Sequence, residues 1–89
     1  MKQKKGFNLR PLGTEFILLP EDPELIDYHK AIAMNESSAY LWQALEGKDF
    51  DVKEMAELLL QRYDVPEERA EKDSAALLDI WLQNGIVEK

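Results

Sequence analysis

Hydrophobic positions along this chain keep one spacing before residue 35 and another after it. In the first third they alternate. Phe7, Leu9 and Arg10 lead into Pro11-Leu12-Gly13-Thr14, a turn-like cluster, and Glu15-Phe16-Ile17-Leu18-Leu19 follows as a compact apolar strand. Pro20-Glu21-Asp22-Pro23 closes it, because two prolines remove two ladder donors. A third strand is predicted from about Ile26 to Met34. Ile26, Tyr28, Ile32 and Met34 share one face, and Asp27, His29, Ala31 and Ala33 share the other. Lys30 interrupts the apolar parity, as a charge on an exposed sheet edge does when it blocks unwanted pairing.

From Asn35 onward the spacing is helical. Asn35 suits an N-cap, and the first helix runs through Tyr40, Leu41, Trp42 and Leu45 to a stop at Gly47. Asp51-Val52-Lys53-Glu54 places an acceptor and a third-position Glu at the start of a second helix, close to a capping box. Val52, Met55, Ala56, Leu59 and Tyr63 then line one face. Pro66 fits the first position of a third helix, with Glu67 and Glu68 at its positive end and Asn84-Gly85 at its close. That helix is apolar over a broad arc. Ala70, Ser74, Leu77 and Trp81 form one line, Ala76 and Ile80 a second, and Leu78 and Leu82 widen it. Leu77 and Trp81 are expected in the core, whereas Ala76 and Ile80 could equally line an open groove, since so small a domain has limited interior.

Composition narrows the chemistry. Eighty-nine residues make one domain, spanning 1–89, and 45% hydrophobic with 33% charged residues is a globular balance. With no cysteine there is no disulfide, thiolate metal site or cysteine nucleophile, and a reducing compartment, the cytoplasm, is the expected home. No apolar stretch follows the basic start Met1-Lys2-Gln3-Lys4-Lys5, and the run from Ala75 to Leu82 is too short for a bilayer. His29 has only Asp27 nearby as a second ligand, too few for a metal, and the four glycines are too scattered for a phosphate loop. An enzyme is not expected, nor a cofactor.

The order of these motifs resembles the PqqD family and the wider class of RiPP recognition elements, over nearly the whole chain. Gly6-Phe7-Asn8-Leu9-Arg10 is similar to the family's opening strand, and Ala33 through Trp42 to its strand-to-helix junction, with the Gly47 stop after it. Tyr63-Asp64-Val65 with Ala70 and Asp73 resembles the start of its last helix, and Asn84-Gly85-Ile86-Val87 its ending. Pro66 departs from the usual acidic cap, Ser74 from a usual apolar residue, and Lys48 to Asp51 lengthen the link between the first two helices. The resemblance implies an α+β, winged-helix-like fold: a three-stranded antiparallel sheet followed by three helices. It further implies a peptide chaperone. The leader of a ribosomal precursor peptide would add as a strand beside Tyr28, His29, Lys30, Ala31, Ile32, Ala33 and Met34. Its side chains would meet Asp73, Ala76, Leu77 and Ile80, while a radical-SAM or other modifying enzyme acts on the rest of the peptide.

Two other readings share this pattern: a small winged-helix DNA-binding regulator, and an adaptor that docks a protein through the same groove. A net charge of −7 argues against DNA, and the third helix sets only Arg69 and Lys72 against Glu67, Glu68, Glu71, Asp73 and Asp79. Neither nucleic acid nor membrane is an expected partner. Mobility-shift assays at physiological salt should show no duplex binding, and salt-sensitive micromolar binding would restore the regulator. Elemental analysis of untagged protein should find zinc, iron and copper well below one per chain.

Overall fold

The computed structural model describes residues 1–21 and 31–89. Its elements run β1 (Lys2–Gln3), β2 (Phe7–Leu12), β3 (Glu15–Pro20), β4 (Ile32–Met34), α1 (Glu36–Ala44), α2 (Val52–Arg62), α3 (Glu67–Gln83) and β5 (Val87–Glu88). Strands β2, β3 and β4 form an antiparallel sheet in that order, and three helices follow, so the α+β class is as expected. The register sorts its faces: Leu9, Leu18 and Ile32 stand in one row, and Arg10, Ile17 and Ala33 in the next. Leu18 and Met34 are buried, with Phe7, Leu9, Phe16 and Ile32 packed around the core. The alternate row faces outward.

The strands differ from the sequence reading in two places. Pro11 and Leu12 belong to β2, paired with Phe16 and Glu15, and the turn shrinks to Gly13-Thr14. Proline is tolerated there because β2 is an edge strand, where a missing N–H need not break the ladder. The second change is a separate two-stranded sheet, β1 with β5, which pairs Lys2 with Glu88 and Gln3 with Val87. Of the third predicted strand, Ile32–Met34 is strand, and Asp22 to Lys30 lie outside the described residues.

Helix boundaries follow local chemistry. Asn35 is extended and its Oδ1 accepts from the Ser38 N–H at 2.9 Å; Asp51 does the same for Glu54 at 2.9 Å. Pro66 becomes the residue before α3 rather than its first, with φ −61° and ψ 146°. At the other end Gly85, with φ +72°, lets Ile86 N–H reach Trp81 O and Gly85 N–H reach Leu82 O, both at 3.1 Å. This is a Schellman closure, and it puts Ile86 against the core while its carbonyl accepts from Lys4 N–H at 2.9 Å.

The core centres on Trp81, whose ring meets Trp42 edge-on at 5.2 Å and Phe50 at 6.4 Å. Leu78, rather than Leu77, is the buried leucine of α3, and Leu77 is half-buried. The N-terminus is held from the same side: the Met1 ammonium donates to Asp49 Oδ1 at 2.6 Å and to Phe50 O at 2.7 Å. That hydrogen bond, aided by the ammonium charge, lowers the pKa of the exposed Asp49 carboxyl. A depressed carboxylate stabilises the fold above its unfolded value, about 3.9, and loses that contribution as pH falls through the lower folded value.

Ser74 is fully buried, and its hydroxyl has no hydrogen-bond partner among the described residues. Two substitutions on the same buried face of α3, two turns apart, should therefore have opposite signs. Trp81→Ala should cost about 3–5 kcal/mol, enough to unfold much of a marginal domain. Ser74→Ala should leave stability unchanged or raise it by roughly 1 kcal/mol, because it removes an unsatisfied polar group. Urea denaturation followed by tryptophan fluorescence and circular dichroism measures both.

Candidate functional site

The sheet order leaves β4 with one neighbour. Phe16, Ile17 and Leu18 pair with Met34, Ala33 and Ile32, and the other side of β4 has no strand beside it among the described residues. Met34 turns its side chain into the core, so only its backbone is available at that edge; Ala33 is exposed and Ala31 and Ile32 are half-buried. The chain passes directly from Met34 into Asn35, the cap of α1, and there the edge opens on a cleft.

The cleft holds about 500 Å³. One wall is the start of α1, where Asn35, Ser37, Ser38 and Leu41 recur on one helical face. Leu59, Tyr63 and Val65 close the end near the α2–α3 connection. The opposite wall is α3, with Arg69, Asp73, Ala76, Leu77 and Ile80 at successive turns. Ile80 is 48% exposed and Ala76 is open to solvent, an apolar strip that the core does not use. The polar rim is partly committed already. Asn35 Oδ1 accepts from the Ser37 hydroxyl at 3.1 Å as well as from Ser38 N–H, and Arg69 Nε lies 3.6 Å from Asp73 Oδ2.

Behind the α2 end, Tyr63 meets Tyr40 edge-on at 6.3 Å, and the Arg62 guanidinium lies over the Tyr40 ring at 4.5 Å. The Tyr40 hydroxyl donates to Leu58 O at 3.4 Å. These contacts fix the tyrosine pair as a wall. The Tyr63 hydroxyl is buried without a partner among the described residues.

Of the residues expected to form a peptide site, Asp73, Ala76, Leu77 and Ile80 line this one cleft. Ala31, Ile32, Ala33 and Met34 lie on or beside the β4 edge that leads to it. Tyr28, His29 and Lys30 lie outside the described residues. Sequence reasoning missed the α1 and α2 contributions. Ser37, Ser38 and Leu41 are spaced as one helical face after the cap, which was a usable signal. Tyr63 and Val65 stood in the family-like stretch before the last helix, but their place in the cleft depends on how α2 meets α3.

The arrangement can bury apolar side chains of an extended segment while offering backbone groups along one edge. Among the described residues no three His, Asp or Glu side chains gather as metal ligands, and no helix is long and apolar enough to cross a membrane.

Comparison with known proteins agrees on the fold. A solved structure of TbiB1 in complex with the TbiA(beta) leader peptide superposes with a TM-score of 0.72 at 19% identity, covering 99% of this chain and 95% of that one. Lasso peptide synthetase B1 complexed with the leader peptide gives 0.72 at 20% identity, covering 99% and 96%. No curated protein sequence matches. The family profile for coenzyme PQQ synthesis protein D matches residues 6–87, the three-stranded sheet and all three helices, and the chain belongs to the PqqD family.

Proposed function

We propose that this protein is a non-catalytic, cytoplasmic peptide chaperone. It binds the leader of a ribosomally made precursor peptide and presents it to a modifying enzyme, a radical-SAM enzyme or another. The leader adds as a strand along β4, and its alternate side chains enter the cleft between that edge and α3. The observation that carries the reading is a β4 edge open among the described residues, followed directly by Asn35 at the mouth of an apolar cleft lined by Ala76, Leu77 and Ile80. Family membership supports it, and so do two structural neighbours solved with leader peptides bound.

The energetics are adequate. About four to six new ladder bonds at ~1 kcal/mol each, with two or three apolar side chains buried, reach roughly micromolar affinity once ordering costs are subtracted. The division of labour is physical as well: backbone pairing supplies affinity for any extended segment, and the cleft supplies selectivity.

Two sets of variants test the site by calorimetry with the leader half of a precursor peptide encoded beside this chain. Ala31→Pro and Ala33→Pro disturb the edge, and Ile80→Asp puts an unpaired charge on the apolar strip. Each should weaken binding by about 2 kcal/mol or more, with circular dichroism confirming an intact fold. Glu57→Ala and Gln61→Ala, on the exposed side of α2, should change it by no more than ~0.5 kcal/mol. If the first set binds like wild type, the leader lies elsewhere.

A further inference from the structure

A second cleft, of about 560 Å³, shares no lining residue with the first. Its walls come from residues 2–7 on one side and from Trp42, Glu46, Gly47 and Lys48 on the other, with Glu21 at one end. Lys2, Lys4, Lys5 and Lys48 line it, four of the chain's eleven cations, against two carboxylates in a chain with seven excess negative charges. None of these four lysines has a carboxylate oxygen within 4.0 Å among the described residues. Glu21 and Glu46 line the same cleft, and, with the Met1 ammonium, the Lys2 charge helps to lower the pKa of nearby Asp49, so the four lysines are compensated only in part and attract a further anion.

One side-chain and two backbone hydrogen bonds tie the walls to the rest of the fold. Gln3 Nε2 donates to Trp42 O at 2.6 Å, Lys4 N–H to Ile86 O at 2.9 Å, and Glu21 N–H to Gly6 O at 2.7 Å. The two clefts also divide α1 between them. The first takes Asn35 through Leu41, and the second takes Trp42 and the turn beyond the helix end.

We propose that the lysine-lined cleft is a docking surface for an acidic segment of a partner protein, engaged while the other cleft holds a peptide. That the partner is the modifying enzyme rests on the chaperone reading; the charge chemistry does not. A nucleic acid fits worse. Its continuous phosphates would run past four lysines onto a surface dominated by carboxylates, where no counterion release offsets the repulsion. An acidic protein segment places a few carboxylates where the lysines are and no more, and docks with the salt dependence of a steered encounter.

A twelve-residue peptide of alternating Glu and Ser, titrated at low salt and followed by amide chemical shifts, tests this. Shifts should concentrate at residues 2–7 and 46–48. Lys4→Glu/Lys5→Glu/Lys48→Glu should weaken binding at least tenfold, and the milder Gln versions should do so in the same direction. Lys53→Glu/Lys72→Glu should stay within twofold of wild type. Saturating the protein with leader peptide first should also leave the acidic peptide's affinity within twofold. Scattered shifts, or unchanged binding in the Lys4/Lys5/Lys48 variants, overturn the proposal. So does tighter binding of a twelve-nucleotide single strand at the same residues, or lysine-dependent self-association in sedimentation. Leader titration of the Ile80→Asp variant reads the chaperone hypothesis separately, so either idea can fail alone.

Discussion

Trp81 is the residue on which the other elements converge. Its ring stacks edge-on against Trp42 of α1 and Phe50 in the link before α2, and its carbonyl accepts the N–H of Ile86 that turns the chain toward β5. One side chain and one carbonyl thus tie α3 to the first helix, to the inter-helix link and to the small sheet. With α3 fixed at this point, the residues one step round its surface, Leu77 and Ile80, are left lining the cleft across from the start of α1. The cleft exists because the core has already taken the adjacent face of the same helix.

Much of this was legible from local rules. Asn35 and Asp51 cap the helices they were expected to cap, and Gly85 takes the left-handed turn, because those choices depend on a few neighbouring atoms. The strand-to-helix change at residue 35 and the sheet's three strands are also in the pattern. The pattern could not choose between Leu77 and Leu78. An arc that is apolar on both sides of the boundary gives no periodic reason to bury one rather than its neighbour, and only the packed core shows that it is Leu78. Pro11 misled for a different reason. A proline reads as a turn unless one knows that its strand lies at an edge.

The β1–β5 pair was not legible at all. Two residues at each end of the chain carry no alternation to detect, and their pairing depends on the Schellman turn and on the Met1 contacts with Asp49 and Phe50. The lysine-rich start therefore read as a charged flank, when in the fold it is one wall of a cleft.

That small sheet gives the two clefts unequal durability. The first cleft is framed by helices of 9, 11 and 17 residues, whose opening would mean losing most of the core. The lysine cleft depends on a strand of two residues, paired with a strand of two residues. Native-state opening proceeds in units of unequal cost, and so short a ladder joining distant parts of the chain is among the cheapest to release. Brief fraying of residues 2–3 would dismantle the lysine cleft and leave the first standing, so any anion held by the lysines would also stabilise the closed N-terminal strand.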